Sequence, residues 1–304
     1  MRFASLGSGS RGNATLIEAA GTRLLLDCGF AARELEQRLA RLAVSPDSVD
    51  AILVTHEHQD HIRGVGAVAR RYGLPVWLTH GTRRSGRLGE VADTRLLPPD
   101  HKPFRIGDIQ VSPYPVPHDA REPVQFVFQC KGSRLGVLTD AGKVTPHIVA
   151  MLQACNALLL ECNHDTQMLA SGPYPPSLQR RVGGQLGHLS NRQAAQLLGS
   201  LEHARLEHLV AASERAQQLP PTGPRGAANG CPGDRAAPEH QLSGPGNRLV
   251  RVLRVDESIS PGRCCRALSP GEGATKLPLP QGGCRKTPSP TGRMPQDSLS
   301  LRER

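Results

Sequence analysis

Residues 53–66 read LVTHEHQDHIRGVG, which places three histidines and an aspartate inside six positions directly after an apolar, β-branched run. Residues 50–55 are predicted to form a buried strand, so the cluster begins where a strand ends. Along an extended backbone, alternate side chains project to the same side, which lets His56 and His58 share one divalent ion through imidazole nitrogen. Once a helix begins, Asp60 and His61 are offset from that pair and reach a second ion. The spacing is HxHxDH rather than the HExxH of helical zinc proteases, because position 60 is Asp where that motif has His.

Working outward, short strands are predicted over 2–6, 14–18 and 23–26, separated by the turn-rich stretches GSGSRGN and AAGT. Leu35, Leu39 and Leu42 fall at helical spacing within 32–42, and a helix is expected to run on from the cluster through IRGVGAVARRYG until Gly73 and Pro75 stop it. Later strands are expected in PVWLTHGT, IQVSPYPVPH, VQFVFQC and SRLGVLTDAG, with helix-then-strand pairs over 145–154 and 157–161, and again over 191–202 and 206–211. Strand meanders followed by interposed helices imply a layered α/β architecture.

All aromatic residues lie at or before Tyr174, whereas 13 of the 26 prolines follow residue 212. Residues 213–304 also hold 14 Lys/Arg against 8 Asp/Glu, so +6 of the net charge of +10 sits there. Two parts are expected: a folded catalytic domain over 1–212 and a Pro/Gly/Arg-rich, low-order tail over 213–304 that cannot repay its ordering entropy by burial. Only RLVRVLRV, 248–255, passes as a strand within the tail. A nucleic-acid-binding arm is the other reading of the tail, weakened by its lack of interleaved aromatics. The amino terminus has no apolar signal core and no long apolar run occurs, so a cytoplasmic protein without a membrane segment is expected. Cys28, Cys130, Cys155 and Cys162 lack CxxC spacing and read as buried reduced thiols.

The HxHxDH motif after a buried strand resembles the metallo-β-lactamase-fold hydrolases, and the likeness extends over residues 1 to about 212. It implies an αββα sandwich, two mixed sheets flanked by helices, with two divalent metal ions, Zn²⁺ or Mn²⁺ with Fe as a further option. Asp27 in LLLDCG would support the metal loop from behind, His118 in VPHDA would complete the first site, and Asp140 in LTDAG would bridge both ions. The motifs SLGSGSRGNATLIE, ECNHD and GHLSN are similar to those of the YycJ/WalJ-like branch, associated with 5′ to 3′ exonuclease activity on DNA. The metal ligands implied are therefore His56, His58, Asp60, His61, His118 and Asp140. Asp60 is a candidate proton acceptor, His188 either donates a proton to the leaving group or caps the helix begun by Ser190 and Asn191, and His164 orients a ligand or a phosphate.

The chain departs from the family at its last core strand, where SERAQQLP stands in place of a motif like AHLSxxNN and the final metal histidine is missing. Two AAC codons read one base out of phase give CAA CAA, the Gln217-Gln218 seen here, which points to a shifted frame in the tail. The expected function is phosphodiester hydrolysis of DNA, two ions about 3.5 to 4 Å apart lowering the pKa of a shared water for attack on phosphorus. Arg63, Arg70 and Arg71 are candidate phosphate contacts or a solvated helix face. Two other readings stay open: a small-molecule ester or thioester hydrolase, because the same core serves several substrates, and a catalytically impaired metal-binding protein.

Overall fold

The structure is a computed structural model that describes residues 1–212 and 252–254. The rest of the expected tail, Gln217-Gln218 included, lies outside the described residues, as does the position where the final histidine belongs.

Two sheets form the centre. The six-stranded sheet runs in chain order, β1 (Arg2–Gly7), β2 (Ala14–Ala19), β3 (Thr22–Leu26), β4 (Ala51–Leu53), β5 (Val76–Leu78) and β6 (Thr94–Leu96). The seven-stranded sheet contains β7 (Phe104–Ile106), β8 (Ile109–Pro115), β9 (Val124–Cys130), β10 (Ser133–Leu138), β11 (Ala157–Glu161), β12 (His208–Ala212) and β13 (Val252–Arg254) in spatial order β13-β12-β11-β10-β9-β8-β7. Both are mixed, with parallel pairing where helices cross over, as at β3–β4 and β10–β11, and antiparallel pairing at the meanders. β13 comes from the one strand-like run noted in the tail and pairs antiparallel with β12.

Strand periodicity explains the layering. Leu24, Leu26, Ala51 and Leu53 point between the sheets and pack with Val111, Phe126, Phe128 and Val137, while Leu25 and Ile52 point the other way, under α1 (Ala32–Ala40) and α3 (Val65–Tyr72). The outer face of the second sheet is covered by α5 (Pro146–Leu152) and α8 (Asn191–Gly199), through Ile148, Leu152, Ala194 and Leu197. Strands buried on both faces read as unbroken apolar runs, which is why AILV and ALLL show no alternation. The expected αββα sandwich is the observed one. No disulfide links the four front cysteines, all buried, and no helix among the described residues is long and apolar enough to cross a membrane.

The helix expected through 62–72 is broken. α2 (Gln59–Ile62) stops, and α3 starts at Val65. The cause is long-range: Gly64 donates its amide to the Cys28 carbonyl (2.8 Å), and a Cβ there would lie 1.7 Å from the Phe30 carbonyl oxygen. Gly73 does end α3, in a left-handed conformation at φ 66°. α4 (His80–Arg84), α6 (Thr166–Ser171) and α7 (Pro176–Val182), with β6 and β7, are additional to the sequence reading.

Asp27, His56, His118 and Asp140 each follow the end of a strand, so the sheets deliver them to one edge of the sandwich. Close backbone contact fixes the histidine turn there: a Cβ on Gly29 would sit 1.9 Å from the Asp60 carbonyl oxygen. Gly29→Ala is therefore expected to cost about 3 kcal/mol, read as a lower urea midpoint at unchanged slope.

Candidate metal centre

Asp27 leaves β3 with φ at 59°, a left-handed turn that points its buried carboxylate back at the histidine loop. Oδ1 accepts the Thr55 amide (2.8 Å), and Oδ2 accepts the Thr55 hydroxyl (2.8 Å) and His61 Nδ1 (2.9 Å). Burial raises the Asp27 pKa, against the pull of His61 and Thr55.

Each imidazole in the cluster has one nitrogen tied outward. His56 Nδ1 donates to Thr55 Oγ1 (2.9 Å), whose proton goes to Asp27. His58 Nε2 donates to the Asp119 carbonyl (3.2 Å), and His118 Nδ1 to the Gly187 carbonyl (3.0 Å). This network leaves lone pairs on His56 Nε2, His58 Nδ1, His61 Nε2 and His118 Nε2. Those atoms converge: His58 Nδ1 and His118 Nε2 are 3.2 Å apart, and His61 Nε2 lies 3.4 Å from Asp140 Oδ2 and 3.6 Å from Asp60 Oδ2. His56 Nε2 and Asp140 Oδ2 are buried and make no hydrogen bond.

Donor atoms of His56, His58 and His118 lie within 4.8 Å of one another, and so do those of His56, His61 and Asp140. Asn13 Nδ2 lies 3.0 Å from His61 Nε2, whereas the unpartnered His56 Nε2 and Asp140 Oδ2 offer what a divalent cation accepts. The donor chemistry of both groups fits a divalent cation, and Asp60 stands beside the second, its Oδ2 3.6 Å from His61 Nε2.

Electrostatics agree. Burial works to raise the Asp140 pKa, but the surrounding His61, His56, His118 and His188 hold it well below the carboxylate range. Burial would depress His61, yet Asp140, Asp27 and Asp60 together raise it to about 10. Burial, reinforced by neighbouring imidazoles, pushes His56 well down.

All six sequence-predicted ligands are thus brought to one place. His188 lies beside them, with Nδ1 2.7 Å from Glu161 Oε1 and 3.6 Å from Asp140 Oδ1. It does not cap α8; Ser190 does, in a capping box with Gln193. His164 is buried next to His188 but belongs to none of the converging donor groups, and burial with His188 lowers its pKa to about 4. Of the three arginines, Arg71 pairs with Glu36 (3.1 Å) and Arg70 bonds the Glu90 carbonyl (3.0 Å), leaving Arg63 beside the cluster, where it reaches the Arg11 carbonyl (3.4 Å).

Sequence reading missed four supporting groups. Asn13 donates its backbone amide to the Asp60 carbonyl (2.7 Å) and its side-chain amide to Asp60 Oδ2 (3.2 Å). Glu57 accepts the Arg121 amide (2.9 Å), which fastens the His118 loop to the histidine turn. Asp119 holds His58. Glu161 gives both oxygens to this region, Oε2 to the Ala141 and Leu189 amides (3.0 and 3.2 Å) and Oε1 to His188. Its signal was visible: a carboxylate closing the otherwise apolar strand ALLLE.

The chain matches the beta-lactamase superfamily domain over residues 22–208. It belongs to the metallo-β-lactamase superfamily. This superfamily member is similar to exodeoxyribonuclease YycJ of Bacillus anthracis, 34% identical over 217 residues that cover 69% of this chain and 82% of that protein. It is similar to exodeoxyribonuclease WalJ of Streptococcus pneumoniae, 35% identical over 202 residues, 65% of this chain and 75% of that one. The short form of human tRNase Z shares the fold at a TM-score of 0.53 and 18% identity, over 72% of this chain and 95% of that chain.

Two outcomes follow from the geometry. Asp27→Asn is expected to weaken cation binding about 10 to 100-fold in chelator competition, with the secondary structure retained. Because a cation on His61 Nε2 displaces a proton held with a pKa of about 10, zinc binding at neutral pH is expected to release about one proton for that site, so affinity rises with pH until about 10. Calorimetry in buffers of different ionisation enthalpy measures the release.

Proposed function

We propose that this hydrolase is a metal-dependent nuclease cleaving DNA phosphodiesters from an end, in a cytoplasmic setting. The supporting observation is the convergence of donor atoms from His56, His58 and His118, and from His56, His61 and Asp140, in a chain similar to two proteins named exodeoxyribonucleases. His56, His58 and His118 would hold one cation; Asp60, His61 and Asp140 would hold the other. When bound, such cations supply Lewis-acid activation of water and neutralise charge developing at phosphorus. Zn²⁺ and Mn²⁺ both suit the donors, and Fe is a further option.

The chain's own residues handle the protons. Asp60 takes the proton that the attacking water gives up as its oxygen bonds to phosphorus. His188 delivers a proton to the departing oxygen as the P–O bond breaks. Burial disfavours the charged imidazole, but the hydrogen bond and charge of Glu161 outweigh it and raise the His188 pKa. Burial lifts Glu161 to about 7 against the pull of His188, and its carboxylate would hold the Nδ1 side of that ring so that the other nitrogen faces the departing oxygen. His164, electrostatically coupled to His188, would serve as an orienting group.

The family's last histidine is absent from this sequence, so the second cation would be held by fewer protein donors and more loosely than the first. Incubating the protein with Mn²⁺ or Zn²⁺, a 5′-labelled DNA strand and a generic thioester tests the reading. Shortening of the DNA from its end supports it, whereas thioester turnover alone favours the small-molecule hydrolase. Full metal loading without turnover of either favours the impaired metal-binding protein. Ser213→His is expected to tighten the second cation and raise turnover. Glu161→Gln is expected to lower kcat by about 100 to 10,000-fold with metal content unchanged.

A further inference from the structure

The segment between α7 and His188 carries features that the hydrolytic centre does not use. Arg181, at the end of α7, places Nε 2.6 Å from Asp119 Oδ2, and its side chain is 60% exposed. Asp119 Oδ1 in turn lies 3.5 Å from His118 Nε2 and 3.6 Å from His58 Nε2. The guanidinium is thus one carboxylate away from the first donor set, on the solvent side.

Leu186 follows, 53% exposed, one of two large apolar side chains left open among the described residues. Its neighbour Gly187 gives its carbonyl to His118. On the other flank, exposed Lys143, three residues after Asp140, reaches the Gln185 side chain (3.4 Å). The loop is held rigidly. Val182 carbonyl accepts the His188 amide (2.9 Å), Gly184 carbonyl accepts the Gly187 amide (2.9 Å), and Gly187 and Gly142 leave no room for a Cβ against the backbones of Arg181 and Gln185.

Arg181 and Leu186 on this loop, with Lys143 joined to it through Gln185, put two cations and an exposed apolar side chain on one stretch of surface, the chemistry that a single nucleic-acid strand meets with its phosphates and bases. We propose that residues 181–186 and Lys143 form a nucleotide-binding rim, in which Arg181 and Lys143 take backbone phosphates and Leu186 lies against a base. The inference rests on the nuclease reading and names how that substrate is held. Asp119 fixes the guanidinium through Nε, which sets a permanent cation at this position.

The test uses the full metal-loaded chain and anisotropy of two labelled strands with non-cleavable phosphorothioate links, one oligothymidylate and one abasic. Arg181→Ala and Lys143→Ala are each expected to reduce the slope of log Kd against log salt by about 0.7 on both strands. Arg181→Lys should keep the slope, which separates charge from folding. Leu186→Ala is expected to weaken the oligothymidylate about fivefold and leave the abasic strand unchanged. Unchanged slopes in Arg181→Ala, or equal weakening of both strands by Leu186→Ala, overturn the rim. If the wild type cuts DNA while the variants bind as it does, the rim fails alone. If the variants behave as expected but the wild type never cuts, the rim stands and the nuclease reading fails.

Discussion

The buried carboxylate of Asp27 is the constraint on which the centre depends. An anion taken out of water is costly unless every lone pair is engaged. Asp27 meets that condition with the Thr55 amide, the Thr55 hydroxyl and His61 Nδ1. Three consequences follow from one side chain. The amide bond registers the turn after β4 against the end of β3, the hydroxyl bond passes through Thr55 to orient His56, and the imidazole bond fixes His61. The left-handed backbone at Asp27 belongs to the same arrangement. An L-residue pays strain there, and the hydrogen bonds over-determine the position.

Legibility in the sequence followed the range of the interaction. HxHxDH was readable because its geometry is local: an extended stretch aligns His56 with His58, and the following turn offsets His61. The apolar triplets of β3 and β4 were readable because both faces are covered. The break between α2 and α3 was not, since Gly64 is pinned by Cys28 and Phe30, more than thirty residues earlier. β6 and β7, reading TRL and FRI, are short and half-exposed and carry no period. Arg70 and Arg71 looked like neighbours of the cluster on the sequence, but their partners Glu90 and Glu36 lie on other segments and draw them away.

The two donor sets are unequal, and this has a chemical meaning. Three imidazoles form the first set, supported by Thr55, the Asp119 carbonyl and the Gly187 carbonyl. The second group adds carboxylates, with Asp140 and Asp60 around His61, and shares His56 with the first. Burial lowers the pKa of His56 and His118, so protons compete little with a cation on those two rings. An anionic set without its cation must instead hold a proton, which is the state that the raised His61 pKa describes.

A third group, Asp140, Glu161 and His188, meets the same distance criterion for a cation. Hydrogen bonding separates it from the other two. Glu161 Oε2 already accepts two amides and Oε1 accepts His188, so a cation there would have to displace three donors. At His56 Nε2 and Asp140 Oδ2 nothing has to leave. Proximity of donor atoms therefore marks two different things: lone pairs with no partner, which suit a metal, and a carboxyl–imidazole pair joined by its own hydrogen bond, to which the proposed proton transfer is assigned. Asp140 belongs to both. A cation on Asp140 would draw negative charge away from His188, making that imidazolium a stronger acid just where a leaving oxygen needs a proton.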